Sequence, residues 1–100
     1  MDFKVIWSPR GIETLGELVE FIARDNPAAA RKMGRAVFQK SLLLGRHPRL
    51  GKVFAGLSHD DVREMLVRPY RIIYRVQNSN RTVTILTVWH GARREPEIFR

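Results

Sequence analysis

The sequence predicts an α+β fold: an N-terminal strand, an antiparallel helix hairpin, then three antiparallel strands, with both helices packed on one sheet face. Three observations predict it. Apolar residues recur every three or four positions between residues 9 and 44, the period of an amphipathic helix. They alternate with arginines across 70–76, the period of a strand, and β-branched residues crowd 81–90. Two helix-start signals, Ser8-Pro9 and Asn26-Pro27, lie close enough together to make adjacent helices. A run of helices followed by a run of strands places the helices on one face of the sheet. One hundred residues make a single domain, 1–100.

The elements follow in order. "FKVIW" (3–7) alternates, with Phe3, Val5 and Trp7 on one face. Ser8 caps the first helix and Pro9 opens it, where a missing N–H costs nothing. Ile12, Leu15, Val19, Ile22 and Ala23 form its apolar stripe, so the helix runs over 9–24, weakened a little by Gly11 and Gly16. Asn26 and Pro27 start the second helix. Its inner stripe is Ala30, Met33, Val37, Ser41 and Leu44, with Phe38 and Leu42 beside it. Gly45 is the expected stop, and His47-Pro48 cannot easily continue the helix. Residues 46–61 read as one long irregular segment. "VREMLV" (62–67), "YRIIYRVQ" (70–77) and "RTVTILTVWH" (81–90) read as strands, the last two joined by the turn 78–80. "GARREPEIFR" is a short tail.

Composition narrows the partners. The net charge is +8, and arginine supplies most of it, fourteen residues against four lysines. Arginine's rigid fork suits carboxylates and phosphates, so an anionic partner is expected, either nucleic acid or an acidic protein segment. Each half of the chain carries +4, so no basic tail explains the excess. Cysteine is absent, which removes disulfides, thiolate metal sites and cysteine nucleophiles. The N-terminus has no continuous apolar core of a signal peptide, and the longest aliphatic run is Leu42–Leu44. A cytoplasmic protein with no membrane association is the expectation.

The stretch "RPYRIIYRV" (68–76) carries the candidate site. Tyr70, Ile72, Tyr74 and Val76 share one face of the strand, and Arg71, Ile73 and Arg75 share the other. With helices on the apolar face, Arg71 and Arg75 belong on the uncovered face, with Arg63 and Arg68 adding to the same surface. Guarding an exposed edge is the plain structural use of such arginines. A strand flanked by two others fits that poorly, so an anion-binding role is favoured. "WHGARR" (89–94) adds His90, a possible acid or base, and Arg93 and Arg94. Packing at a sheet rim is the structural alternative for His90. His47, His59 and His90 lack metal-ligand spacing, and no phosphate loop or nucleophile motif is present. No metal and no cofactor are expected. Trp7, Trp89, Tyr70 and Tyr74 are expected to build core.

"KVIWSPRGIETLGELVEFIARDNPAAA", "VREMLVRPYRIIYRV" and "VTILTVWHGAR", in that order and spacing, resemble the RelE/ParE superfamily, the toxin halves of bacterial type II toxin–antitoxin systems, once called plasmid stabilisation proteins. The resemblance implies the fold already read from periodicity. It also implies a toxin–antitoxin hetero-oligomer, in which the C-terminal segment of a cognate antitoxin wraps the toxin. Two activities occur in the superfamily: metal-independent cleavage of messenger RNA on the ribosome, and poisoning of DNA gyrase without catalytic chemistry. In the nuclease members, Arg71 matches the arginine of a tyrosine–arginine pair, Arg93 an arginine after the last strand, and His90 a histidine near the sheet end. Phe99 stands where a catalytic tyrosine is found, and "VREML" brings Glu64 where lysines are found. The long hairpin and the "HGAR" after the last strand are nearer the gyrase inhibitors.

The resemblance therefore implies a growth-arresting toxin that inhibits DNA gyrase. The alternatives are a ribosome-dependent mRNA endonuclease, with Arg71, His90 and Arg93 as its catalytic candidates, and a non-toxic nucleic-acid-binding module. Arg63, Arg68, Arg71, Arg75, Arg93 and Arg94 are the candidates for binding the antitoxin or the target. The antitoxin's binding segment is expected to be acidic.

Overall fold

The computed structural model describes residues 2–54 and 61–90. Its elements are β1 (Lys4–Trp7), α1 (Pro9–Ala23), α2 (Pro27–Arg46), β2 (Lys52–Val53), β3 (Val62–Val67), β4 (Tyr70–Gln77) and β5 (Thr82–His90). The sheet order is β1-β5-β4-β3-β2, with β1 parallel to β5 and every other pair antiparallel. The two helices cover one face, as the periodicity required.

Capping fixes both helix starts. The Ser8 hydroxyl accepts a hydrogen bond from Gly11 N–H at 2.9 Å, and Asn26 Oδ1 accepts from Ala29 N–H at 3.0 Å. Each satisfies an N–H that has no partner inside the helix. The same N-terminus is fastened to β5. Ser8 N–H donates to the Ile85 carbonyl at 3.0 Å, and Val88 N–H donates to the Thr14 hydroxyl at 2.9 Å. At Gly11 a Cβ would lie 2.7 Å from the Ile85 carbonyl oxygen, so only glycine lets the helix lie this close to the strand.

The core lies between hairpin and sheet. Leu18, Met33, Val37 and Leu44 from the helices meet Met65, Ile72, Tyr74, Val76, Val83, Ile85 and Val88 from the sheet. The inner stripe read for α2 is buried at every position: Ala30, Met33, Val37, Ser41 and Leu44. In the stripe read for α1, Leu15, Val19 and Ile22 pack against the core as expected, and Ile12 needs correction: it is 61 % exposed, while its neighbour Gly11 is buried against β5 and Leu18 joins the core. Gly45 is likewise not a helix stop. The helix runs on to Arg46, and Gly45 is buried against β1, where its carbonyl accepts from Phe3 N–H at 2.7 Å.

Two further expectations change. Within 46–61 the sequence offered only loop, yet Lys52–Val53 pairs with Arg63–Glu64 as a two-residue edge strand, too short to show alternation. Arg81 belongs to the turn rather than to the last strand, in the left-handed region at φ 52°. Trp7, Tyr70 and Tyr74 join the core as read, whereas Trp89 stays half-buried outside it. Among the described residues, no helix is long and apolar enough to cross a membrane.

Candidate functional site

β4 presents its two faces as the alternation predicted, but the helix-free face is not a field of unpaired arginines. The two-residue connection between β3 and β4 sets Val67 opposite Tyr70, hence Glu64 opposite Ile73. Glu64 is thereby diagonal to Arg71 on the same face. Arg71 Nη2 donates to Glu64 Oε2 at 2.7 Å, with the two side chains only 17 % and 7 % exposed. Lys52 Nζ, from β2, lies 3.6 Å from the other carboxylate oxygen. Arg75 Nε lies 3.6 Å from Asp61 Oδ2, a looser pair on a wetter part of the face. Phe54, Val62, Ile73 and the neighbouring Leu86 pack among these pairs as a small apolar cluster. The uncovered basic surface expected here is thus a set of internal ion pairs around apolar side chains.

Arg63 does not add to that surface. It points to the helix side, next to Met65 and Tyr74, because strand alternation separates it from Glu64. Its Nη1 donates to the Gly51 carbonyl at 2.9 Å, while Gly51 N–H donates to the Tyr74 hydroxyl at 2.8 Å. A Cβ on Gly51 would run into the Glu64 carbonyl oxygen. Arg63, Gly51 and Tyr74 form a buried latch that holds the segment before β2 onto the sheet. Burial pushes the Tyr74 hydroxyl above its usual pKa, partly offset by the Gly51 hydrogen bond and the nearby positive charge of Arg63.

Arg68 is exposed in the β3–β4 turn and borders a shallow groove with Lys40, Leu43 and Leu66. His90 stands opposite Tyr70, and their rings meet edge to face at 5.4 Å. That puts His90 on the helix side, whereas Arg71, opposite Trp89, is on the other. Arg71 and His90, two of the three catalytic candidates, therefore do not converge on one surface. His90 instead borders a cavity of about 480 Å³ between α1 and the end of β5, lined by Arg10, Glu17, Glu20, Phe21 and Arg24. Arg93 and Arg94, with Phe99, lie outside the described residues. Among the described residues, no group of three or more His, Asp or Glu side chains could hold a metal ion.

The sequence also leads one to expect apolar anchors for an antitoxin among exposed residues of the helix hairpin, without saying which, and the structure supplies a surface there. Trp7, Ile12, Leu15, Gly16, Val19 and Phe38 line an apolar groove of about 530 Å³ along the outside of the hairpin. Ile12 and Phe38 are 61 % and 51 % exposed, and Leu42 lies one turn beyond Phe38 at 54 %, which makes this a continuous apolar strip facing solvent. Gly16 borders open space, since a Cβ there would meet nothing within 4 Å. The signal was present: α2 carries Phe38 and Leu42 beside an inner stripe that was already complete.

Comparison with known proteins places this geometry. The family model described as the ParE toxin of type II toxin–antitoxin systems (parDE) matches residues 5–95. The candidate toxin Y4kP of Sinorhizobium fredii is 29 % identical over 98 residues, which cover 96 % of either chain. Among solved structures, a chain of the chromosomal ParDE system of P. aeruginosa superposes with a TM-score of 0.72 at 18 % identity, over 88 % of this chain and 95 % of that one. A chain of the RelBE2 toxin–antitoxin complex of Mycobacterium tuberculosis superposes at 0.69 with 24 % identity, over 90 % and 99 %. At these identities the superpositions speak for the fold, and both contain the helix hairpin on a sheet derived above.

Proposed function

This chain belongs to the ParE toxin family of type II toxin–antitoxin systems, and from that premise we propose that it arrests growth by inhibiting DNA gyrase. The observation that carries the reading is the Arg71–Glu64 pair. Cleavage of RNA on this sheet face would need Arg71 to meet a phosphate, and Arg71 is held by a buried carboxylate 2.7 Å away. His90, the available acid or base, stands on the opposite face. A positioned proton-transfer group is worth ~10²–10⁴ in rate only within hydrogen-bond reach of its target. Separating the charge from the proton carrier favours inhibition by binding over catalysis.

The same reading includes an antitoxin. The apolar groove along α1 and α2 suits the apolar side of a partner segment, and the net charge of +8 suits acidic residues around it. Apolar anchors in the groove supply most of the affinity, and the chain's net positive charge raises the association rate. The test is a supercoiling assay with purified gyrase and folded toxin. Inhibition relieved by the antitoxin is expected. Full supercoiling at large toxin excess, together with messenger RNA cut at codon-spaced positions in translating extracts, would transfer the protein to the ribosome-dependent nucleases.

A further inference from the structure

On the helix-free face, one carboxylate is gripped by two cations from neighbouring strands. Arg71 Nη2 on β4 reaches Glu64 Oε2 at 2.7 Å, and Lys52 Nζ on β2 approaches Oε1 at 3.6 Å. The carboxylate belongs to the middle strand of the three, 7 % exposed, with Val62 and Ile73 beside it. Arg71 Nε is also buried and finds no hydrogen-bond partner among the described residues, so the guanidinium fork has donor capacity that Glu64 does not use. Two basic side chains converging on one small anion, with a spare donor beside it, is how proteins hold a phosphate or carboxylate group from outside. Here the anion comes from within. The neighbouring Arg75 faces a single, more exposed carboxylate, Asp61, at 3.6 Å.

We infer that Glu64 is a built-in counter-anion that closes a phosphate site formed by Lys52 and Arg71, and so keeps nucleic acid off this face of the sheet. The inference rests on the gyrase reading in one respect: both take Arg71 as occupied. It goes further by naming the residue that decides whether the face is open and the ligand class it would take, the phosphodiester backbone. Removing the charge of Glu64 would release two cations at once. Each phosphate newly neutralised on a single strand adds about 0.7 to the slope of log affinity against log salt, so two add about 1.4.

The experiment compares wild type with Glu64→Gln for binding of a fluorescent oligouridine across salt concentrations. Glu64→Gln is expected to bind more tightly at low salt. Between ~50 and ~200 mM salt it should lose about sevenfold more affinity than wild type does. Adding Arg71→Gln should remove about half of that extra slope. A folded Glu64→Gln protein with the same affinity and slope as wild type would overturn the inference. Should Glu64→Gln be unfolded in chloride, pyrophosphate at matched ionic strength is expected to restore its folded circular dichroism by filling the vacated place, and failure to restore it would also overturn the inference. No gyrase is used, so failure here leaves the supercoiling result standing, and failure to inhibit gyrase leaves this result standing.

Discussion

Replacing Glu64 by leucine tests the pair that organises the helix-free face. The substitution fills similar volume with apolar atoms and strands the charge of Arg71, whose side chain is 17 % exposed. Breaking a buried ion pair from one side costs ~3–5 kcal/mol, and the water left around Arg71 puts this case near the lower end, ~3 kcal/mol. Arg71→Leu should cost less, ~2 kcal/mol, because Lys52 remains 3.6 Å from the stranded carboxylate. The double replacement removes both charges together and should cost no more than ~2 kcal/mol, giving a coupling of ~3 kcal/mol. Urea unfolding of the four proteins, followed by circular dichroism, measures each term. Single effects that simply add, with coupling under ~0.5 kcal/mol, would show that the two residues do not act as a pair.

Three other substitutions probe the latch and the groove. Tyr74→Phe leaves the buried Gly51 N–H without an acceptor and should destabilise by ~1–3 kcal/mol at neutral pH in chemical denaturation. Because folding raises the Tyr74 pKa, the folded protein keeps this phenol proton to higher pH than the unfolded chain does, so the contribution is full below the unfolded value of ~10 and is lost as pH rises through the folded value. The stability gap between wild type and Tyr74→Phe should therefore narrow on titration to higher pH. Gly51→Ala drives a methyl group into the Glu64 backbone and should cost at least ~1–3 kcal/mol, read as a lowered urea midpoint. Phe38→Asp, at a side chain 51 % exposed, should leave folding intact and weaken antitoxin binding by more than ~2 kcal/mol in calorimetry. Unchanged affinity would move the antitoxin off the hairpin.

The backbone of the fold was legible because its signals are local. Ser8-Pro9 and Asn26-Pro27 start helices by satisfying or omitting N–H groups within three residues, and strand alternation in 70–77 needs only neighbouring positions. Errors arose where a distant contact decided the outcome. Ile12 is exposed where its neighbour Gly11 lies against the Ile85 carbonyl, 74 positions away in sequence. Gly45 looked like a helix stop because its use, close approach to Phe3, is invisible without β1 in place. The candidate site suffered most, because charge pairing depends on register between strands. The faces of Arg71 and Arg75 were readable, and their counter-charges were not read. Counting outward from the short turn at Arg68-Pro69 would have set Glu64 opposite Ile73 and diagonal to Arg71. The same count would have sent Arg63 to the helix side, away from the surface expected for it.

The reading of this toxin as an inhibitor that acts by binding is tested most directly by titrating the purified, folded protein into a gyrase supercoiling reaction, with the antitoxin added back in a parallel series. Loss of supercoiling should rise with toxin, be reversed by antitoxin, and persist in His90→Ala, since His90 is not on the face of Arg71. Undiminished supercoiling at every toxin concentration, with translated message cleaved in its place and that cleavage abolished in His90→Ala, would contradict it.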